Sequence, residues 1–337
     1  MELDDRKKKI LSTVVEDYIM SAEPTSSKTI VDKYGMEYSS ATIRSEMKLL
    51  EEKGYLKQLH VSSGRVPSSK GYRYYVDNLM QTKKLSMLDI NYINNNITGF
   101  GDTEDLLEKV ADTVSKILNR PTVVTRDNND KIESIKILKI SEKIILVILM
   151  SENGTIKDVV AKLTDSLDDN KLNEMSELLN KNLKGTPLED LYKVLTSAIL
   201  NELNAFGDIL DKVCSAIKSE VNISNTLVSS NLESILELPE FSDIEKAKNF
   251  INMLSTKEAI NIVNDKIMSN DLGIVIGSEN KELLLKDCSV VSLDIVQNNK
   301  VLGKVSVVSP ERLDYSKTIS TLKYINKKVK SYFKGGE

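Results

Sequence analysis

The sequence predicts an α+β protein of several domains that begins with a winged helix-turn-helix. Three helical patterns and a short hairpin-like stretch occupy the first 66 residues. Two groups of β segments lie much further along the chain and are separated by helical patterns. A length of 337 residues is enough for two or three domains, so the two patterns are assigned to different domains.

The three N-terminal helices are predicted from apolar spacing and from their end signals. The first runs from about Arg6 to Met20 and ends before Pro24, because the residue preceding proline avoids the α region. The second covers Ser27–Tyr34, after hydroxyl side chains suited to an N-cap, and Gly35 follows it. The third runs from about Ser40 to Lys53 after a short turn, as a helix-turn-helix requires.

The third helix has two different faces. Its inward face carries Ile43, Met47 and Leu50. Its outward face carries short hydroxyls and two long cations, namely Ser40, Thr42, Arg44, Ser45 and Lys48. Such a face suits a major groove about 12 Å wide, where arginine binds guanine and hydroxyls bind phosphate. Any helix can have a solvated polar face, but the order of helices, tight turn and wing favours DNA binding.

The predicted wing runs from Tyr55 to Val66 and turns at Gly64. We expect Ser62, Ser63 and Arg65 at its tip to face a DNA backbone or minor groove. The segment that follows mixes Lys70 with tyrosines at 72, 74 and 75. These tyrosines either lie beside DNA or pack the wing against the next helix, and packing is favoured for at least two of them.

The charge distribution agrees with a DNA-binding N-terminus. The whole chain has a net charge of −4, yet residues 39–84 contain nine Lys and Arg against four Asp and Glu. A basic N-terminal region on an acidic remainder would orient that region toward a polyanion. Charge imbalances this small also arise by chance, so the helical pattern is the stronger observation.

The rest of the chain predicts two β groups. A polar stretch from Asp89 to Asp105 is interpreted as a boundary or flexible connection, and an amphipathic helix follows to Leu118. The first β group comprises Ile132–Ile140, Lys143–Met150 and Ile156–Leu163, and helical patterns follow at Leu172–Leu183, Leu188–Leu203 and Ile209–Glu220. After a helical pattern at Ser242–Met268, the second β group comprises Leu272–Ile276, Cys288–Gln297 and Lys300–Val308, and a closing helix spans Thr318–Phe333.

Composition argues against several other classes of protein. Hydrophobic residues make up 40% and charged residues 28%, as in soluble globular proteins, and the longest strongly apolar run, Ile144–Met150, is too short to span a bilayer. The acidic N-terminus lacks the apolar segment of a secretory signal. Cys214 and Cys288 are interpreted as reduced core thiols. The sequence therefore predicts a cytoplasmic protein.

The sequence also lacks the usual chemistry of an enzyme. His60 is the single histidine and lies in the predicted wing, and neither a zinc-ligand cluster nor a phosphate-binding glycine loop is present. Carboxylates are plentiful but not concentrated, so they are interpreted as solvated surface. We expect no catalytic residues, no metal site and no cofactor.

Four N-terminal strings resemble the bacterial heat-inducible transcription repressor HrcA family, namely Ser39–Met47, Leu50–Leu56, His60–Pro67 and Lys70–Asp77. Later strings resemble the same family, namely Leu238–Phe241, Ile276–Asn280, Asp287–Ser289 and Ser309–Tyr315. The departures are Leu313, where the family more often has methionine, and Ser309, where it usually has glycine; neither touches the predicted DNA surface. Ile276–Asn280 is interpreted either as a polar lip on a pocket or as a capped turn.

The resemblance implies a domain organisation. A winged helix at 1–84 precedes a GAF-like α/β domain formed by 85–124 together with 220–337, and an inserted α+β dimerisation domain occupies roughly 125–219. It also implies a homodimer that binds double-stranded DNA at an inverted repeat of the CIRCE type upstream of heat-shock chaperone operons, with modulation by the GroEL chaperonin. No membrane partner is expected.

The predicted DNA-binding residues are Ser27, Lys28, Ser39, Ser40, Thr42, Arg44, Ser45, Lys48, Ser62, Ser63, Arg65 and Lys70. The alternative is a small-molecule-responsive transcriptional regulator that uses the GAF-like domain as a ligand sensor. A third possibility, an enzyme fused to a DNA-binding module, ranks last because the sequence contains no catalytic cluster.

Overall fold

The structure is a computed structural model that describes residues 3–59, 64–99, 101, 103–126, 131–152, 156–164, 168–187, 194, 227–255, 272–280, 285–297 and 300–332. The chain separates into two compact units. The first unit combines Met1–Thr125 with Leu227–Glu337, and the second is Arg126–Thr226. Each unit mixes helices with antiparallel strands, which confirms the predicted mixed class.

The N-terminal part of the first unit, residues 3–84, is called the head. It begins with three helices, α1 (Asp5–Ser21), α2 (Ser27–Tyr34) and α3 (Ser40–Glu52). Each helix starts at a side-chain cap, because Asp4, Ser26 and Ser39 each accept a hydrogen bond from the backbone N–H three residues later. These caps explain why the predicted boundaries of the three helices are confirmed to within one residue.

Two very short strands follow the helices. β1 (Leu56–Lys57) and β2 (Val66–Pro67) pair antiparallel, and the backbones of Thr25 and Arg65 exchange two hydrogen bonds of 3.0 and 2.8 Å. This bridge ties the second strand to the connection between α1 and α2. Helix α4 (Ser69–Tyr74) comes next and continues as a π-helical turn, Tyr75–Leu79. The predicted tip residues Ser62 and Ser63, with His60, lie outside the described residues.

The tyrosines after the wing pack inside the protein. Tyr72 and Tyr75 are buried, and the Tyr74 ring meets the Tyr55 ring edge-on at 5.3 Å between centroids. Packing of at least two of these three tyrosines is therefore confirmed. The head shares one continuous hydrophobic core with helices and strands of the rest of the first unit.

Helix α4 approaches the Tyr55 backbone, which precedes β1, so closely that only glycine fits at position 71. A Cβ on Gly71 would lie 2.1 Å from the backbone oxygen of Tyr55, which cannot move aside as a flexible side chain would. We expect Gly71→Ala to lower the unfolding free energy by about 1–3 kcal/mol, measured by urea denaturation. Gly101→Ala is the matched control, because no atom lies within 4 Å of its Cβ position. Equal stability of the two variants would contradict the close approach.

Of the two interpretations of Asp89–Asp105, a boundary or a flexible connection, the flexible connection is wrong. Helix α5 (Met87–Asn96) occupies the first half of this stretch, capped by Ser86, whose side chain accepts from the Asp89 backbone N–H. The stretch looks polar because, of its residues that the structure describes, Ile93 and Ile97 alone are fully buried. Two buried isoleucines and an N-cap are enough to stabilise helix α5, because this helix also packs against α6 (Thr103–Leu118).

The remainder of the first unit, called the body, contains a five-stranded sheet in the order β7–β3–β10–β9–β8. Its strands are β3 (Thr122–Arg126), β7 (Leu227–Ser230), β8 (Leu272–Ile276), β9 (Cys288–Gln297) and β10 (Lys300–Pro310). Its other helices are 3-10 turns at Leu232–Glu237, Pro239–Phe241 and Gly277–Glu279, α8 (Ile244–Ser255) and α9 (Tyr315–Tyr332). The sequence prediction omitted β3 and β7, which pair antiparallel with each other.

The sheet of the body is covered on both faces. Val291, Leu293 and Ile295 of β9 join the core formed with α6 and α9. The alternate residues Cys288 and Val290 join a second core with α8 and the 3-10 turns. The motif Ile276–Asn280 is a capped turn, because the Glu279 carboxylate accepts from the Ile276 N–H at 2.8 Å.

The second unit contains a three-stranded antiparallel sheet, β4 (Ile132–Ser141), β5 (Ile144–Ser151) and β6 (Ile156–Lys162), and helix α7 (Asp169–Leu183). One sheet face packs on α7 through a core that includes Ile135, Val147 and Leu179. These three strands and this helix confirm the predicted elements. The helices predicted at 188–203 and 209–220 lie outside the described residues except for position 194.

Candidate nucleic-acid interface

Helix α3 presents a polar outer face. Ile43, Met47 and Leu50 are buried, while Ser40, Arg44, Ser45 and Lys48 are exposed. Residues 40, 44 and 48 follow one another at intervals of four and therefore line one side of the helix. The sequence interpretation of the two faces of α3 agrees with this burial pattern. The outer face is a row of hydroxyl-bearing and cationic side chains about three helical turns long.

The first turns of α2 and α3 lie side by side. The Ser27 and Ser40 hydroxyl oxygens are 2.9 Å apart, and the Ser39 and Thr42 hydroxyl oxygens are also 2.9 Å apart. Lys28 is exposed in the same first turn of α2. Two helix N-termini with adjacent hydroxyls and a lysine favour an anion such as phosphate.

Arg44 and Lys48 differ from most basic side chains of the head in their surroundings. Arg44 has no ion pair or hydrogen bond to its side chain among the described residues. Lys48 has one loose, exposed pair with Glu52 at 3.9 Å. An exposed pair of this kind contributes little stability, so both cations are accessible to an external anion.

Arg65 and Lys70 are engaged within the protein. The Arg65 Nε donates to the Glu51 carboxylate at 2.8 Å, and its side chain is 20% exposed. The Lys70 ammonium donates to the Lys53 carbonyl at 2.8 Å and lies 4.5 Å over the Tyr55 ring. In this arrangement both side chains hold the end of α3 against the segment that follows it.

A buried carboxylate fixes α2 on α1. Asp17 is 3% exposed and accepts hydrogen bonds from Thr25 Oγ1 at 2.9 Å, Lys33 Nζ at 2.7 Å and Tyr34 Oη at 2.8 Å. Burial alone would raise the pKa of Asp17, but these three bonds outweigh it and hold the pKa below its ordinary value. Asp17 thereby ties α1 to the segment before α2 and to the last turn of α2.

Comparison with known proteins assigns the family. A family model described as the HrcA protein C-terminal domain matches residues 104–319. The heat-inducible transcription repressor HrcA of Thermoanaerobacter pseudethanolicus is 34% identical over 341 aligned positions, which cover 98% of this chain and 96% of that relative. The chain belongs to the HrcA family. The HrcA repressor of Clostridioides difficile is 36% identical, with 97% of this chain and 98% of the relative covered.

Membership in the HrcA family makes the chain a heat-inducible transcription repressor and not an enzyme. One solved structure, titled only as a hypothetical protein, covers all of both chains at 22% identity with a TM-score of 0.63. That likeness shows the fold alone. Over the described residues, no cluster of His, Cys, Asp and Glu is suited to a metal, and no helix is long and apolar enough to cross a bilayer.

Two arginines that join the head to the body in this HrcA-family chain were not singled out from the sequence. The Arg73 guanidinium donates to the Glu279 carboxylate at 2.7 and 2.5 Å and to the Ile274 carbonyl at 2.7 Å. Arg312 pairs with Glu240 at 2.6 Å and donates to the Ile19 carbonyl at 3.2 Å. Both arginines belong to sequence strings that resemble the HrcA family, and this resemblance was the one sequence feature that could have indicated their role.

Proposed function

We propose that this chain is a homodimeric repressor that binds an inverted-repeat operator of the CIRCE type upstream of heat-shock chaperone operons. In this proposal the head is a winged helix-turn-helix, and α3 of each protomer enters a major groove. The supporting observation is the exposed outer face of α3, where Arg44 and Lys48 have no strong partner in the part of the chain that the structure describes. A two-fold dimer requires half-sites separated by whole helical turns of about 34 Å.

The proposed contacts divide into two kinds. Arg44 is assigned to a base, because arginine binds guanine with two parallel hydrogen bonds. Ser27, Lys28, Ser39, Ser40, Thr42, Ser45, Lys48 and Lys70 are assigned to phosphates, with Ser62, Ser63 and Arg65 of the wing. A phosphate contact by Arg65 requires its guanidinium to exchange the Glu51 carboxylate for the DNA backbone.

The proposed domain organisation is a head at 1–84, a GAF-like domain formed by 85–124 with 220–337, and an inserted dimerisation domain at about 125–219. The five-stranded antiparallel sheet with helices on both faces supports the GAF-like assignment. The separation of Arg126–Thr226 as its own compact unit supports an insertion.

An apolar sheet surface in the second unit supports dimerisation. Leu138, Leu146 and Val160 lie in register across β4, β5 and β6 on the face opposite α7. Leu138 is 39% exposed and Val160 is 56% exposed, and Ile140, Met150 and Ile156 are exposed in the same strands. Contiguous exposed apolar surface of this kind is typical of protein interfaces, and in the proposed dimer a second copy of this chain covers it.

We expect Val160→Lys to weaken the dimer at least about 100-fold, because an ammonium would be buried without a partner in an apolar interface. Sedimentation equilibrium measures the change. Val160 is exposed, so the protomer should fold normally. The matched control is Leu236→Lys, which alters an equally exposed residue, 57% exposed, in the first unit. A Val160→Lys protein that dimerises like wild type would contradict this interface.

We also propose that GroEL modulates the repressor and that the protein is cytoplasmic. Both statements are inferred from membership in the HrcA family. Free GroEL would keep the repressor active, and unfolded clients would withdraw GroEL from it. Adding purified GroEL to a repressor–operator titration should raise the active fraction, and adding an unfolded client protein should reverse the gain.

Operator binding is tested by fluorescence anisotropy with three duplexes. One carries the inverted repeat, one has a single half-site scrambled, and one has both scrambled. We expect the affinity to fall at each step and to decrease steeply with salt. Equal affinity for all three duplexes would contradict sequence-specific binding.

A further inference from the structure

A cavity of about 220 Å³ lies between the head and the body within the first unit. The head contributes Tyr18, Val66 and Tyr72 to its walls, and the body contributes Phe241, Cys288 and Pro310. One water molecule needs only about 10–15 Å³ of such space, so the cavity has room for a small organic molecule. It is smaller than the pockets of about 300–1,000 Å³ that hold drug-sized ligands.

The cavity contains a buried polar group that no described residue satisfies. Tyr72 is 1% exposed, and its hydroxyl has no hydrogen-bond partner in the part of the chain that the structure describes. Leaving a buried hydroxyl unpaired is costly, so such groups are uncommon in native proteins. Burial raises the pKa of Tyr72 well above its ordinary value, so the phenol stays protonated and is available as a donor.

Three cations and three carboxylates line the cavity, and two of each are joined in ion pairs. Arg312 is paired with Glu240, and Lys246 with Asp287 at 3.5 Å. Lys57 also lines the cavity and is exposed, with no ion pair among the described residues. Glu311, the third carboxylate, accepts a hydrogen bond from Ser69; burial raises the pKa of its carboxyl, and the Lys57 ammonium opposes that rise.

We propose that this cavity binds a small monocarboxylate with an apolar, ring-sized body. Its carboxylate would accept a hydrogen bond from the Tyr72 hydroxyl and pair with the Lys57 ammonium. The apolar body would lie among Val66, Phe241 and Pro310. Because the walls come from both head and body, bound ligand would stabilise their contact. A resulting effect on operator binding rests on the proposed function, whereas the binding itself does not.

The test uses benzoate as the probe and the full-length protein. Saturation-transfer NMR and thermal unfolding are measured against benzoate, with benzamide as its uncharged analogue. We expect millimolar binding of benzoate, as for other ligands of this size, and weaker binding of benzamide. Tyr72→Phe and Lys57→Gln should each weaken benzoate binding about tenfold. Tyr75→Phe and Lys9→Gln are the matched controls, since neither residue lines the cavity.

The melting temperature of the ligand-free Tyr72→Phe variant also tests whether the Tyr72 hydroxyl is unpaired. Removing an unsatisfied buried group should leave the melting temperature unchanged or higher, so this variant should fold. A melting temperature several degrees lower would show that the hydroxyl has a partner and would overturn the assignment. Absence of saturable benzoate binding, equal binding of benzamide, or full binding by both cavity variants would overturn the proposal. None of these results depends on DNA.

Discussion

Replacing Arg44 with alanine is expected to weaken operator binding by about 1–3 kcal/mol per half-site, and so roughly 30-fold to 10⁴-fold for a dimer on two half-sites. The Arg44 side chain is exposed on the outer face of α3 and has no ion pair or hydrogen bond among the described residues. Its removal therefore breaks no internal contact, and the loss appears in binding and not in stability. Competition against operators with single base changes should show relaxed preference at one position in each half-site.

Two matched variants separate base reading from general electrostatics. Lys48→Ala should weaken binding to every sequence similarly and flatten the salt dependence by about one unit per protomer, as expected for a phosphate contact. Lys9→Ala removes an exposed cation of α1 outside the proposed surface and should leave the affinity nearly unchanged. If the Arg44→Ala protein binds the operator with the affinity and base preference of the wild type, the proposed contact between Arg44 and a base is contradicted.

Asp17→Ala is expected to lower the unfolding free energy by about 2–4 kcal/mol, the largest stability effect of any single change considered. The carboxylate is nearly inaccessible to water and accepts from three donors on α2 and the segment before it. The Lys33 ammonium is half exposed and can be hydrated in the variant. Most of the lost stability therefore comes from the hydroxyls of Thr25 and Tyr34, which lose their acceptor. Urea denaturation measures the change, and Asp5→Ala, at a fully exposed aspartate of the same helix, is the control.

The contribution of Asp17 should depend on pH. Its folded-state pKa lies below the ordinary value of 3.8, so the stabilisation is complete above that value and is lost as the pH falls through the lower folded-state pKa. The stability difference between wild type and Asp17→Asn should be constant from about pH 5 to 8 and shrink below about pH 4. A difference that grows on acidification would contradict the proposed hydrogen bonds.

The head was predictable because its signals are local. The caps at Ser26 and Ser39 and the glycine at 35 mark helix ends within a few residues of sequence. Apolar spacing also assigned the inward and outward faces of α3 correctly. The three strands of the second unit were predicted from short apolar segments, and β5 is a nearly continuous apolar run.

Contacts between distant residues were not predictable in this way. Strands β3 and β7 are short and pair across about a hundred intervening residues, so neither shows a hairpin signal. Arg65 is expected from the sequence to face DNA, because no feature of the neighbouring sequence indicates Glu51 as its partner. The pairing of Arg73 with Glu279 joins residues 206 positions apart. One sequence contains no information about such pairs beyond the presence of the charges.

Methylation protection on a chaperone-operon promoter tests the central claim most directly, because dimethyl sulfate attacks guanine N7 in the major groove. With wild-type protein we expect symmetric protection of guanines in both halves of an inverted repeat. Arg44→Ala should lose that protection while Lys9→Ala retains it. An unchanged footprint after joint replacement of Arg44, Lys48 and Arg65, or protection confined to the minor groove, would contradict recognition by α3.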